Sequence, residues 1–317
     1  MNRAEPKRKV DYLRISVTDR CNFRCRYCMP PEGVPLLKHA DILTFEEIIR
    51  VVRLSRELGF VRFRLTGGEP LVRRGLVELV RGLTGVAGIE DLSLTTNGHY
   101  LPDLALSLRR AGLDRINLSL DALSPAIFSR MTRGGDLSRV LAGHAAAVRA
   151  GFPPPRLNAV IIPGINDGEI LPLVDFARAV GSPLRFIEMM PVTPDSGGSF
   201  MPGERVRRLI EERFPLEEAD GTPGGGPARY WRGPDFLVGF ISPLSEDICS
   251  NCRRMRLTAD GFLRPCLAAE DEFDLRPALR ERGDLREVFL RALAAKPPRH
   301  RFGCRPDGGR RMSAIGG

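Results

Sequence analysis

Six of the seven cysteines in this 317-residue chain fall into two triplets. Cys21, Cys25 and Cys28 are spaced C-x3-C-x2-C, and Cys249, Cys252 and Cys266 are spaced C-x2-C-x13-C. Reduced cysteines that cluster in this way ligate a metal or do redox chemistry. Three thiolates so close together can wrap one cubane iron–sulfur cluster and leave one iron without a protein ligand. A structural zinc site asks for a fourth ligand nearby. The histidine nearest the first triplet, His39, lies eleven residues beyond Cys28, so an open, reactive cluster is the better fit there. The second triplet admits two readings. It suits a cubane with an open iron, or a zinc ion completed by Cys304 or His300. Cys304 itself reads best as a free thiol.

Other segments carry chemistry of their own. Thr66-Gly67-Gly68-Glu69-Pro70 places glycines where a backbone must approach a neighbour closely. Leu118-Ser119-Leu120-Asp121 puts polar side chains at alternate positions of a strand. Arg253, Arg254 and Arg256 set three guanidiniums within four positions, a pattern that suits phosphate oxygens. The chain ends in Gly316-Gly317.

The composition, 43 % hydrophobic and 27 % charged, is that of a globular protein and excludes wholesale disorder. No apolar run approaches the roughly 18 residues of a membrane helix. The charged N-terminus lacks the apolar stretch of a secretory signal, and an odd cysteine count argues against a disulfide framework. A cytoplasmic location follows as the expectation. A net charge of +9 favours an anionic partner: nucleic acid, nucleotide or phosphorylated metabolite.

The elements that must position these residues alternate along the chain. Strands are expected at 12–17, 61–65, 91–95, 115–120, 156–162 and 184–189. Helices are expected at 44–58, 74–83, 102–111, 137–150 and 168–180. Thr44 and Glu47 form a capping-box pattern, and Gly59, Gly112, Gly151 and Gly181 stand where C-terminal caps favour glycine. A βαβα succession implies a parallel sheet with helices outside. Six units suit an incomplete (β/α)6 barrel, with an open doubly wound sheet as the alternative. Leu13, Ile15 and Val17 alternate with Arg14, Ser16 and Thr18, and similar alternation recurs in three further strands, at 91–95, 115–120 and 156–162. With period two each polar set shares a face, so the polar faces would line an interior for polar ligands. Pro- and Gly-rich stretches at 193–203 and 220–227 read as loops. The division is a core over 5–227 and a smaller C-terminal region over 228–317.

The loop of Cys21, Cys25 and Cys28, with Tyr27 before the last cysteine, resembles that of the radical S-adenosylmethionine enzymes. The Gly-Gly-Glu-Pro segment and the strand bearing Ser119 are similar to segments of the same superfamily. With the second triplet, the arginines after it and the Gly-Gly end, nearly the whole chain resembles the GTP 3′,8-cyclase family of molybdenum-cofactor biosynthesis. The resemblance implies two [4Fe–4S] clusters, on Cys21, Cys25 and Cys28 and on Cys249, Cys252 and Cys266. It implies S-adenosylmethionine beside Tyr27, Gly68, Ser119 and Met190. It implies GTP beside Arg14, Arg64, Thr95, Arg156, Arg254, Met255 and Arg256, with catalytic roles for Arg14, Gly316 and Gly317. In that family a 5′-deoxyadenosyl radical abstracts H3′ of GTP, and C3′ attacks guanine C8 to give 3′,8-cyclo-7,8-dihydro-GTP. The same resemblance implies a reductant protein, a downstream enzyme that takes the product, no membrane or nucleic-acid partner, and a homodimer. Two departures stand out: Arg156 replaces the family's lysine, and Arg253 replaces its asparagine. A radical enzyme acting on peptide or RNA, and a zinc- and nucleic-acid-binding protein, are the competing readings.

Overall fold

The computed structural model describes residues 9–191, 200–219, 226–300, 310 and 312–316. Six strands form in turn: β1 (Tyr12–Ser16), β2 (Arg62–Thr66), β3 (Asp91–Thr96), β4 (Arg115–Ser119), β5 (Arg156–Ile161) and β6 (Leu184–Glu188). Between them run α1 (Phe45–Glu57), α2 (Leu76–Thr84), α3 (Leu101–Arg110), α4 (Pro125–Thr132), α5 (Leu137–Arg149) and α6 (Ile170–Ala179). The capping box is present: Thr44 Oγ1 accepts from Glu47 N at 3.2 Å, and Glu47 Oε2 accepts from Thr44 N at 2.7 Å. Gly59 and Gly151 take φ of +89° and +85°, the left-handed conformation in which a C-terminal cap favours glycine.

The strands pair in parallel in the order 1-2-3-4-5-6, as the βαβ succession requires. Further strands, all but β7 from residues beyond 227, add to both edges of this sheet. On the β6 edge lie β9 (Leu237–Ile241), parallel to β6, then β8 (Arg229–Arg232) and β7 (Glu217–Ala219). On the β1 edge lie β10 (Arg254–Leu257), parallel to β1, then β11 (Phe262–Arg264) and β12 (Phe273–Asp274). The barrel is therefore unclosed, ending at β12 on one side and β7 on the other.

The alternation read from the sequence is real. Leu13, Ile15, Phe63, Leu65, Leu92, Leu94, Leu118 and Leu157 point outward into a core beneath the helices, each at most 1 % exposed. Fully burying each such side chain contributes about 1.5–3 kcal/mol. The opposite face carries Arg14, Arg64, Thr95, Ser119, Asn158 and Arg185 around an internal cavity. Several helices have no counterpart in the sequence reading: α4, α7 (Gly203–Glu211), α8 (Arg276–Arg280), α9 (Leu285–Ala294) and α10 (Met312–Ile315). Of these, α8 and α10 have too few turns for an apolar period to stand out. The predicted linkers at 193–203 and 220–227 lie mostly outside the described residues.

Candidate active site

The first cysteine triplet sits in the loop that leaves β1. This loop is zipped to the glycine segment after β2: Gly68 N donates to Thr18 O and Glu69 N to Arg20 O, both at 2.7 Å. A Cβ on Gly68 would lie 2.3 Å from Arg20 O, so only glycine permits this approach. Glu69 accepts from Thr96 Oγ1 and Asn97 N at 2.7 Å and from Leu71 N at 2.9 Å, and burial pushes its carboxyl up to about 7. Asn97 Nδ2 reaches Asn22 Oδ1 at 2.9 Å, tying β3 to the cysteine loop. The other flank is braced from α4. Arg24 N and Arg26 N donate to Thr132 O and Met131 O, and Arg133 donates to Arg24 O and Met29 O.

Burial dominates the three thiols. It pushes Cys21 up to about 11 and Cys28 up to about 12, and raises Cys25 well above the usual thiol range. The charges of Asp121, Cys28 and Cys21 add to the rise at Cys25. Such sulfurs ionise only when a positive metal centre compensates them, which suits ligands of an iron–sulfur cluster. Beside them Tyr27 Oη donates to Asp121 Oδ2 at 2.8 Å, while Val160 N holds Asp121 Oδ1 at 2.8 Å. Burial pushes Asp121 up to about 6.

The second triplet lies across a cavity of about 220 Å³. Cys249, Cys252 and Cys266 line one side of it, and Tyr27, Asp121 and Met190 line the side toward the first triplet. Between them the wall carries five guanidiniums: Arg14, Arg64, Arg185, Arg254 and Arg256. Burial, with Arg256 and Arg64 nearby, holds Arg14 well below its usual range; burial and Arg254 pull Arg256 down to about 9. Tyr12 Oη, Thr95 Oγ1, Asn158 Oδ1 and Arg185 Nε are buried on this wall without a hydrogen-bond partner among the described residues. Orphaned polar atoms are costly unless a ligand satisfies them.

Most of the predicted site residues converge here. Arg14, Tyr27, Arg64, Thr95, Ser119, Met190, Arg254 and Arg256 all border the cavity. Gly68 serves the packing of the cysteine loop. Arg156 opens β5; its burial, with the neighbouring Arg115 and Arg64, lowers its pKa, but it does not border the cavity among the described residues. The Met255 side chain points the other way, into the apolar core at 0 % exposure, because neighbours on a strand alternate faces. Gly316 packs against β1 and β2, where a Cβ would meet Thr66 Cγ2 at 2.8 Å, and its carbonyl accepts from Arg256. Gly317 and Cys304 lie outside the described residues.

Sequence reasoning passed over Tyr12, Asn158 and Arg185 as site residues. The signal for Arg185 was present: it shares the inward parity of β6, where Leu184 and Phe186 face the core.

Comparison with known proteins agrees with this layout. The radical SAM superfamily model matches residues 15–177, and the model described as Molybdenum Cofactor Synthesis C matches residues 182–302. The GTP 3′,8-cyclases of Moorella thermoacetica and Pelotomaculum thermopropionicum are each 47 % identical over 98 % of both chains. That of Geobacter sulfurreducens is 44 % identical over 92 % of both chains. Among solved structures, Streptococcus suis SuiB bound to S-adenosylmethionine matches with a TM-score of 0.65 at 15 % identity, covering 89 % of this chain and 65 % of that one. Methylornithine synthase matches with a TM-score of 0.51 at 16 % identity, over 64 % of this chain and 62 % of that one. These two likenesses establish the fold. The near full-length identity to the curated enzymes establishes more: this chain belongs to the GTP 3′,8-cyclase family of the radical SAM superfamily.

Proposed function

We propose that this chain converts GTP to 3′,8-cyclo-7,8-dihydro-GTP, the first step of molybdenum-cofactor biosynthesis. The observation that carries the proposal is a cationic cavity bordered by the second cysteine triplet and by Tyr27 of the first cysteine loop. When bound, a [4Fe–4S] cluster on Cys21, Cys25 and Cys28 together with S-adenosylmethionine supplies the radical that abstracts H3′.

The chain's own residues bind, orient and shield. Tyr27, Ser119 and Met190 form the S-adenosylmethionine end of the cavity, and Gly68 holds the cysteine loop against β2. Arg14, Arg64, Arg254 and Arg256 neutralise the triphosphate, with Thr95 supplying an unsatisfied hydroxyl; Arg156 adds charge from the start of β5. Met255 contributes backbone and packing. The fork of each guanidinium suits phosphate oxygens. Gly316, held by Arg256 through its carbonyl, sets the end of the chain next to the substrate cations, where the Gly316-Gly317 end would act on the substrate. With water excluded, these cations act at full strength on a substrate held for C3′ to reach C8.

Cys249, Cys252 and Cys266 would hold a second [4Fe–4S] cluster facing the guanine. In support, burial raises the Cys249 thiol and the neighbouring Cys252 and Cys266 add to the rise, and no three His, Cys, Asp or Glu side chains among the described residues stand close enough to share one ion. Zinc draws its thiolates to about 2.3 Å, whereas a cubane keeps them at separate corners. The reading carries with it a core over 5–227, an auxiliary-cluster region over 228–317, a reductant protein, a downstream enzyme for the product, a homodimer and a cytoplasmic location. No helix among the described residues is long and apolar enough to cross a membrane.

The test is anaerobic. The protein is reconstituted with iron and sulfide, reduced with dithionite and given S-adenosylmethionine with each nucleoside triphosphate in turn. 5′-Deoxyadenosine formed strongly with GTP alone, alongside a GTP-derived product, is the expected result. Equal slow formation with every nucleotide would overturn the substrate; none in an iron-loaded protein would overturn the reaction.

A further inference from the structure

The segment that follows α9 closes over the second cysteine triplet. Lys296 Nζ donates to Arg254 O at 2.6 Å and to Pro265 O at 2.8 Å, and stands 3.7 Å from Cys252 Sγ. Arg254 lies two residues after Cys252, and Pro265 immediately precedes Cys266. One ammonium thus gathers two separate cysteine-bearing segments. Four residues on, His300 N donates to Cys249 Sγ at 3.2 Å.

The carbonyl contacts alone do not call for a lysine, since a neutral amide offers two N–H donors as well. What only a cation supplies is a positive charge against the Cys252 sulfur. Arg254 is also close to that sulfur, but it borders the cavity and is available to a substrate anion. Lys296 does not border the cavity, so its charge stays with the sulfur whether or not substrate is bound.

We infer that Lys296 is a positioning residue of the second iron–sulfur site, joining the Cys252 and Cys266 segments and raising the reduction potential of the cluster they hold. This rests on the two-cluster reading above. A reduced cluster carries one more negative charge than its oxidised form, so a fixed cation at a ligand sulfur favours the reduced form. Charge and hydrogen bonding at the sulfurs are established levers on such potentials.

The experiment uses full-length, reconstituted protein. Iron, sulfide and zinc are measured first, then the midpoint of the C-terminal cluster by EPR-monitored titration, its signal identified by its loss in Cys266→Ser. Lys296→Gln keeps the donors and removes the charge; Lys296→Arg keeps the charge. The expected result is unchanged iron and sulfide in both variants, with the reduced-to-oxidised ratio at fixed potential falling about tenfold in Lys296→Gln, or about 59 mV for one electron. Lys296→Arg should stay near the wild type. An unchanged midpoint in iron-loaded Lys296→Gln would overturn the tuning, as would loss of the C-terminal cluster from both variants. Zinc in place of iron in the wild type would instead remove the two-cluster reading, a result visible before any substitution is made.

Discussion

The guanidinium of Arg256 donates to the carbonyl of Gly316, sixty residues later in the chain. Three residues before Gly316, the backbone of Ser313 hydrogen-bonds the Cys28 sulfur. The C-terminal turn therefore touches both halves of the site at once. Arg256→Ala removes a cavity cation and the anchor of the tail. Charge-assisted hydrogen bonds contribute about 1.5–3 kcal/mol, so GTP affinity should fall by about tenfold or more while iron content holds. Deleting Gly316 and Gly317 should abolish cyclisation with both clusters retained. Equilibrium binding checks the first outcome and product analysis beside iron analysis the second; unchanged affinity in Arg256→Ala discards the clamp.

Gly68→Ala tests the zipper between β2 and the cysteine loop. The added methyl meets backbone, not a flexible side-chain tip, so the loop must move. Overpacking of this kind costs about 1–3 kcal/mol. Thermal unfolding should register the loss, and iron should leave the first triplet preferentially. Full iron at the wild-type melting temperature would show that the loop tolerates the displacement.

Asp11 is 1 % exposed and accepts from Arg62 Nη1 at 3.0 Å and Arg253 Nε at 2.8 Å. It clasps the start of β1 to β2 and to the chain entering β10. Arg253, which replaces the asparagine expected from the family resemblance, is thus an ion-pair partner of the frame. Removing one member of a buried pair costs about 3–5 kcal/mol. Here both arginines are partly solvated, so Asp11→Ala should cost about 1–3 kcal/mol. Denaturant unfolding measures it, and Arg253→Asn should be the milder change.

Cysteine replacements separate the two triplets. Cys252→Ser or Cys25→Ser should each remove about half of the iron, one cubane of two. Cys304→Ser should leave iron unchanged. Iron lost from the Cys304 variant would assign that residue to the second site.

His144 supplies a pH signature away from the cysteines. It is buried, with Nε2 2.8 Å from Ser182 Oγ, and burial lowers its pKa. The unfolded chain titrates near pH 6.5. Between the depressed folded value and about 6.5 the unfolded state binds more protons, so stability falls as pH drops through that window and levels off above it. The wild-type melting temperature should therefore fall more steeply than that of His144→Gln between about pH 7 and pH 5.5. Parallel curves would dismiss this contribution.

Much of the scaffold is legible in local sequence. Period-two alternation in β1, β3, β4 and β5 announces a polar inner face, because side chains on a strand alternate whatever the strand pairs with. The first cysteine loop, the Thr44 capping box and the glycine caps are equally local. Arg185 was open to the same parity argument.

Arg254-Met255-Arg256 shows where that reach ends. As a run of residues it looks like one binding segment. Once Tyr12 pairs with Arg254, and Arg14 with Arg256, the two arginines join the inner wall and Met255 joins the core. That pairing joins residues 242 positions apart, and no local preference encodes it. The same holds for Gly316 on Arg256, Lys296 on Cys252 and Gly68 against Arg20. Chain-local geometry decides which face a side chain takes; only burial and backbone pairing across the sheet decide what it meets there.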